Sequence, residues 1–239
     1  MSVEELAEEW ELTLGEPYPP GADGVVVRAE LGDGTRAVLK VASRHRENEQ
    51  EADALDRWNG DGAARLLRRD DERGALLLER CEPGTFLSVG ADDPIGVLVG
   101  LLPRLWIDAT GFRTLADEVA WWDLGGDIGE LAQELAATQG ELVLAHQDLH
   151  AENVVAAERE PWLVIDPKPL AAEREFAVAP IVRGPELGHS KRDVLYRLDR
   201  LCAELGLNRE RARGWTIVQT TAWAEGASVD LHEVVEWLS

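Results

Sequence analysis

The chain has 239 residues, 45% of them hydrophobic, enough to bury a substantial core in one large domain or in two lobes sharing a cleft. Its formal net charge of -22 argues against nucleic acid or an anionic membrane surface as the main partner, because their phosphates would be repelled; it reads first as a solvated acidic surface and also suits a cationic small molecule. Met1 to Trp10 lacks the basic and apolar regions of a signal peptide, and the longest apolar stretch, Ile95 to Ile107, holds Pro103 and Arg104 and is too short to span a bilayer. The two cysteines, Cys81 and Cys202, have neither metal-ligand nor redox spacing, so a reducing cytoplasm is the expected setting. Lys occurs only at positions 40, 168 and 191, which makes each one worth examining.

In chain order, apolar runs predict strands at Glu11 to Leu14, Gly24 to Glu30, Arg36 to Val41 and Ala75 to Arg80, with Gly32-Asp33-Gly34 as a hairpin turn. Ala52, Leu55 and Trp58 recur at helical spacing and predict a helix over Arg46 to Trp58. After the punctuation Glu82-Pro83-Gly84 the pattern turns helical over Pro94 to Trp106, Leu115 to Trp122 and Ile128 to Gln139. Two short strands follow, Asn153 to Ala157 and Trp162 to Ile165. Helical periodicity then resumes at Ser190 to Leu205, Arg209 to Glu225 and Leu231 to Leu238. The expectation is an α+β chain: a small sheet lobe with one helix over residues 1–80, a hinge at 81–84, and a larger, mainly helical lobe over 85–239.

The segment His146-Gln147-Asp148-Leu149-His150-Ala151-Glu152-Asn153 packs an acid, two imidazoles and an amide just before a strand. Phosphoryl transfer needs a carboxylate to orient the attacking hydroxyl and oxygen ligands for the Mg²⁺ that neutralises the phosphates. Asp148 can fill the first role. Asn153 and Asp166, the latter in Ile165-Asp166-Pro167 at a strand end, can fill the second. A lone Lys40 at the end of an apolar strand is costly to bury unless a carboxylate or phosphate meets it, and Glu51 lies on the first helix able to do so. Gly21 and Gly24 sit in a turn that could bring backbone N–H groups near phosphate, although neither G-x-G-x-x-G nor a Walker A sequence is present.

The pattern His-x-Asp-Leu-His-x-x-Asn followed by Ile-Asp-Pro resembles the catalytic and metal-binding segments of the aminoglycoside phosphotransferases, relatives of the protein kinases. Ala37-Val38-Leu39-Lys40, Glu51-Ala52-Asp53-Ala54-Leu55, Ala75-Leu76-Leu77-Leu78-Glu79-Arg80, Asp166-Pro167-Lys168-Pro169 and Arg213-Gly214-Trp215 resemble the streptomycin 6-phosphotransferase and hydroxyurea phosphotransferase branch. The matches run from about Gly24 to Trp223. The resemblance implies a two-lobed protein-kinase-like fold, ATP and Mg²⁺ as cofactors, and a small-molecule acceptor. It implies that Lys40, held by Glu51, contacts the α- and β-phosphates, that the backbone of Glu79-Arg80-Cys81 meets adenine, that Asp148 is the catalytic base, and that Asn153 and Asp166 bind the metal.

Two departures bear on the acceptor. Gln147 and Glu152 stand where many members have Gly, and the chain is short for the family before Trp10 and between Pro83 and Trp122. Lys168 is fixed between two prolines, to assist the γ-phosphate or to pair with an acid. Three alternatives remain: another acceptor such as hydroxyurea or an amino sugar, a catalytically silent kinase-like module, and a metal hydrolase built on His146, Asp148 and His150. In the kinase reading both histidines are structural, bonding backbone around the catalytic loop. The nine tryptophans could line a sugar pocket, but the helical spacing of Trp215 and Trp223 and the pairing of Trp121 with Trp122 predict core packing.

Overall fold

The computed structural model describes residues 3–19, 24–224 and 231–239. Gly21, one of the two turn glycines, lies outside them. The first part is an antiparallel sheet of β1 (Leu12–Pro17), β2 (Gly24–Leu31), β3 (Arg36–Ala42), β4 (Leu66–Asp70) and β5 (Ala75–Glu79), in the order β1-β2-β3-β5-β4. Alternation sets its buried face. Val27 and Ala29 of β2, Ala37 and Leu39 of β3, and Ala75 and Leu77 of β5 pack with Leu6 and Trp10 from and beside α1 (Val3–Glu9). The β2–β3 turn closes through Asp33, whose side chain accepts from the Thr35 N–H at 2.9 Å.

α2 (Glu51–Trp58) crosses from this sheet to the helical part, where Ala54, Leu55 and Trp58 join a core with Leu98, Leu102 and Leu105. The Trp58 indole donates to the Leu105 carbonyl at 2.9 Å. The helix is shorter than predicted, because residues 46–50 form turns. Asn48 accepts from the His45 N–H at 2.9 Å and donates to the Ser43 carbonyl at 3.0 Å, while the Arg46 side chain reaches out to Glu118 at 2.9 Å. These local bonds compete with a helical path.

The helical part holds α3 (Leu87–Gly90), α4 (Pro94–Leu105), α5 (Leu115–Trp122) and α6 (Gly126–Ala137). β6 (Leu142–His146), β7 (Val154–Ala156), β8 (Trp162–Val164) and β9 (Pro169–Glu173) follow, then α7 (Arg174–Ala177), α8 (Ala179–Arg183), α9 (Lys191–Leu205), α10 (Arg209–Ala222) and α11 (His232–Leu238). β6 pairs antiparallel with β9, and β7 with β8. Neither β4, β6 nor β9 stands out in the sequence: β4 carries Arg68 and Arg69, while β6 and β9 are short apolar runs without alternation. α10 packs against α6, α7, α8 and α11, with Trp215 fully buried against Phe176 in an edge-to-face pair at 5.5 Å. Among the described residues no helix is long and apolar enough to cross a membrane.

Candidate active site

Lys40 sits near the end of β3, between Val26 of β2 and Leu76 of β5, so the sheet fixes its backbone on both sides. Its ammonium meets both oxygens of Glu51, at 2.9 and 2.8 Å, and bonds Asp166 from the helical part. Burial works against the charged lysine, but Glu51 and Asp166 outweigh it and raise its pKa. Asp166 is pushed up by burial, and Lys40, with smaller help from His146 and Lys168, brings it down to a net lowering. Its backbone lies at φ +52, a left-handed conformation that Asp tolerates better than most residues.

Asp148 follows β6 by two residues, and two bonds to the His146 ring shape the loop. Nδ1 accepts from the Asp148 N–H at 3.1 Å, and Nε2 lies 3.4 Å from the Ile165 carbonyl. The ring thus carries its proton on Nε2 and ties the acid of one strand end to the strand end before Asp166. Burial pushes its pKa down to about 4, keeping it neutral. His150 accepts from the Glu152 N–H at 3.2 Å, and the Asn153 side chain donates to the Asp148 carbonyl at 2.8 Å, a bond that does not use the Asn153 amide oxygen. Both imidazoles serve the loop's backbone, as the kinase reading expects. Glu152 is exposed and Gln147 buried.

The carboxylate of Asp148 is flanked by cations. Lys168 Nζ donates to Oδ2 at 3.0 Å, and Arg183 Nη2 lies 3.6 Å from Oδ1. Both cations lie over the Trp223 ring, at 5.5 and 5.0 Å from its centroid. Gln219 of α10 donates to the Gln147 carbonyl at 2.7 Å and faces Arg183 Nε at 3.4 Å. Core packing therefore holds for Trp215 but not for Trp223, which is half-buried beyond the last turn of α10 where the cleft opens. Trp121 is 57% exposed, because Arg46 covers its face instead of the core. Arg183, Gln219 and Trp223 are the site residues that sequence reasoning missed. Their one signal was the i, i+4 spacing of Gln219 and Trp223 on one helix face.

The other expected residues have well-defined places. A Cβ on Gly24 would lie 2.2 Å from the Val41 carbonyl, so β2 needs glycine to start against β3. The Glu79 side chain is taken up by Arg159, with Nε and Nη2 each at 2.9 Å, and by the Arg65 N–H at 3.0 Å, tying the end of β5 to the β7–β8 loop. Any nucleotide contact at Glu79 is left to its backbone. Cys81 is half-buried, and burial pushes its thiol up to about 12, so it is not a reactive thiolate.

The family model for aminoglycoside/hydroxyurea antibiotic resistance kinases matches residues 10–116 and 116–228. The chain is 39% identical to a hydroxyurea phosphotransferase of Kitasatospora aureofaciens, over 97% of this chain and 75% of the relative. It is also 39% identical to a streptomycin 6-kinase of Streptomyces glaucescens, over 92% of this chain and 81% of the relative. Among solved structures it is similar to the choline kinase LicA from Streptococcus pneumoniae, at TM-score 0.68 and 14% identity over 98% of this chain and 96% of LicA, which has also been solved with AMP. That structural likeness establishes the fold.

Proposed function

Because the chain belongs to the aminoglycoside/hydroxyurea antibiotic resistance kinase family, we propose that it transfers the γ-phosphoryl group of ATP to a hydroxyl of a small cationic acceptor of the streptomycin type. The observation that carries the reading is the convergence of Lys40, Glu51 and Asp166 with Asp148 in one cleft, although the first two lie more than ninety positions before the others. AMP in LicA supports a nucleotide here. In this reading residues 1–80 form the nucleotide lobe, 81–84 the hinge whose backbone at Glu79 to Cys81 meets adenine, and 85–239 the acceptor lobe. A cytoplasmic location follows from the need for ATP.

The donor set fits Mg²⁺. Asp166 and the Asn153 amide oxygen are hard oxygen ligands, and this ion is held by one or two protein oxygens together with phosphate and water. When bound, it would neutralise charge on the β- and γ-phosphates. The chain's own residues do the rest. Glu51 aims Lys40 at the α- and β-phosphates. Asp148 accepts a hydrogen bond from the acceptor hydroxyl and takes its proton as the new O–P bond forms. His146 and Asn153 keep Asp148 in place through backbone bonds, so the carboxylate is positioned before substrate arrives.

Hydroxyurea is the second acceptor supported, since the phosphotransferase for it is as similar as the streptomycin kinase. Purified protein with ATP and Mg²⁺ should release ADP in the presence of streptomycin or hydroxyurea and not with acceptors lacking a reactive hydroxyl. Asp148→Asn should slow this by about 10²–10⁴-fold. Equal, slow ADP release by wild type and variant with every aminoglycoside, amino sugar and hydroxyurea offered would refute an active kinase and favour the silent module.

A further inference from the structure

A cationic acceptor calls for acids along its wall, yet the acceptor side of Asp148 presents two cations, Lys168 and Arg183. Their side chains are only 16% and 11% exposed. The lysine's backbone is fixed as firmly as that of Asp148. Pro167 and Pro169 flank it and favour an extended chain, its carbonyl accepts from the Gln147 N–H at 2.9 Å, and its own N–H reaches His146 Nδ1 at 3.4 Å. Lys168 Nζ also lies 3.6 Å from Glu47 Oε2. The cleft thus holds two charge clusters two residues apart on one segment, Glu51–Lys40–Asp166 and Glu47–Lys168–Asp148–Arg183. Lys40 stands on the nucleotide side and Lys168 between the two aspartates, where a phosphoryl group would travel.

We propose that Lys168 contacts the phosphoryl group as it passes from nucleotide to acceptor, and that Arg183, stacked on Trp223 and held by Gln219, positions Lys168 and Asp148 from behind. This rests on the phosphotransferase reading above. In the step, the acceptor oxygen forms a bond to phosphorus and its proton goes to Asp148. The bond from phosphorus to the bridging oxygen breaks, and ADP leaves with that electron pair. Midway the phosphoryl group is planar, with its charge spread over three equatorial oxygens, and Lys168 turns from Asp148 to meet them. Lys40 stays with the α- and β-phosphates throughout, so the two lysines act on different parts of the nucleotide.

The test uses the full chain with Mg²⁺ and ADP, with and without aluminium fluoride, a planar mimic of the phosphoryl group in flight. Wild type should bind ADP more tightly with fluoride. Lys168→Met should abolish that tightening while changing the Kd for ADP alone less than threefold, and Lys168→Arg should restore part of it. With acceptor present, Lys168→Met should lower kcat about 100-fold and leave the acceptor KM within threefold. Arg183→Lys should lower kcat less, again without raising KM. Should Lys168→Met fold poorly by thermal melting, Lys168→Gln is read in the same way. The proposal is overturned if wild type shows no fluoride-dependent tightening, if Lys168→Met keeps it, or if the variant weakens ADP alone by the same factor, which would make Lys168 only an ion-pair partner. If tightening tracks Lys168 while no acceptor is turned over, this inference stands and the assignment of acceptor falls.

Discussion

Glu51→Gln, Lys40→Met and the double variant form a cycle that measures the coupling of the inner ion pair. Both oxygens of Glu51 accept from Lys40, at 2.9 and 2.8 Å, and the two side chains are 4% and 10% exposed, so solvent screens the pair little. Hydrogen bonds to charged groups are worth about 1.5–3 kcal/mol net, and Gln can still accept one of the two, so Glu51→Gln should cost about 2 kcal/mol. Lys40→Met removes the cation from a nearly dry carboxylate and should cost about 3 kcal/mol. The double variant should be more stable than the sum of the singles by about 2 kcal/mol. The Asp166 side chain is 41% exposed, so its share is discounted for screening. Urea unfolding followed by tryptophan fluorescence gives all four stabilities. Glu51→Gln alone should lower the melting temperature by roughly 4–8 °C at this chain length. The raised pKa of Lys40 means that its contribution is full below the ordinary value of 10.5 and is lost only as pH climbs beyond it. The lowered pKa of Asp166 means that its contribution is present above the ordinary 3.8 and is lost as pH falls below that. The coupling should therefore be flat through neutral pH. Additivity within about 0.5 kcal/mol at pH 7 would show the pair to be uncoupled and the reasoning wrong.

Three further outcomes are expected. The neutral, buried His146 has its pKa lowered from 6.5 to about 4, so the unfolded chain binds the extra proton and this residue's contribution is lost as pH falls from 6.5 toward 4. The stability difference between wild type and His146→Gln should shrink by about 3 kcal/mol over that interval, and a pH-independent difference would contradict it. Glu173 is 2% exposed and receives Arg211, the Trp215 indole and, at 3.1 Å, the Gly140 N–H; Glu173→Ala should cost about 3 kcal/mol or more in urea unfolding. Gly24→Ala puts a methyl group 2.2 Å from the Val41 carbonyl and should destabilise the sheet by about 2 kcal/mol, with a loss below 0.5 kcal/mol counting against that contact.

By itself the sequence singled out the residues that converge in the cleft and the order of a small sheet part followed by a helical part. Apolar runs, alternating or continuous, marked β2, β3 and β5, the strands at the centre of the sheet. The scarcity of lysine singled out Lys40 and Lys168, and the eight residues from His146 to Asn153 carried enough chemistry in one stretch to be recognised. What the tertiary structure decided is how those residues meet. β6 and β9 show no alternation, since both faces of that ladder are covered, yet their register places His146 opposite Pro169 and so brings Asp148 and Lys168 within 3.0 Å. Residues 46–50 keep a helical pattern but turn, because Asn48 and Arg46 find partners that an isolated helix lacks. Arg183 and Trp223 show the same limit: no local pattern singled out the first and helical spacing predicted core for the second, and only the crossing of α8 and α10 at the cleft sets a guanidinium against an aromatic ring behind the acid. Local pattern reports which face of an element is buried. Which faces then confront each other across a cleft depends on contacts far apart in sequence, and no local period records them.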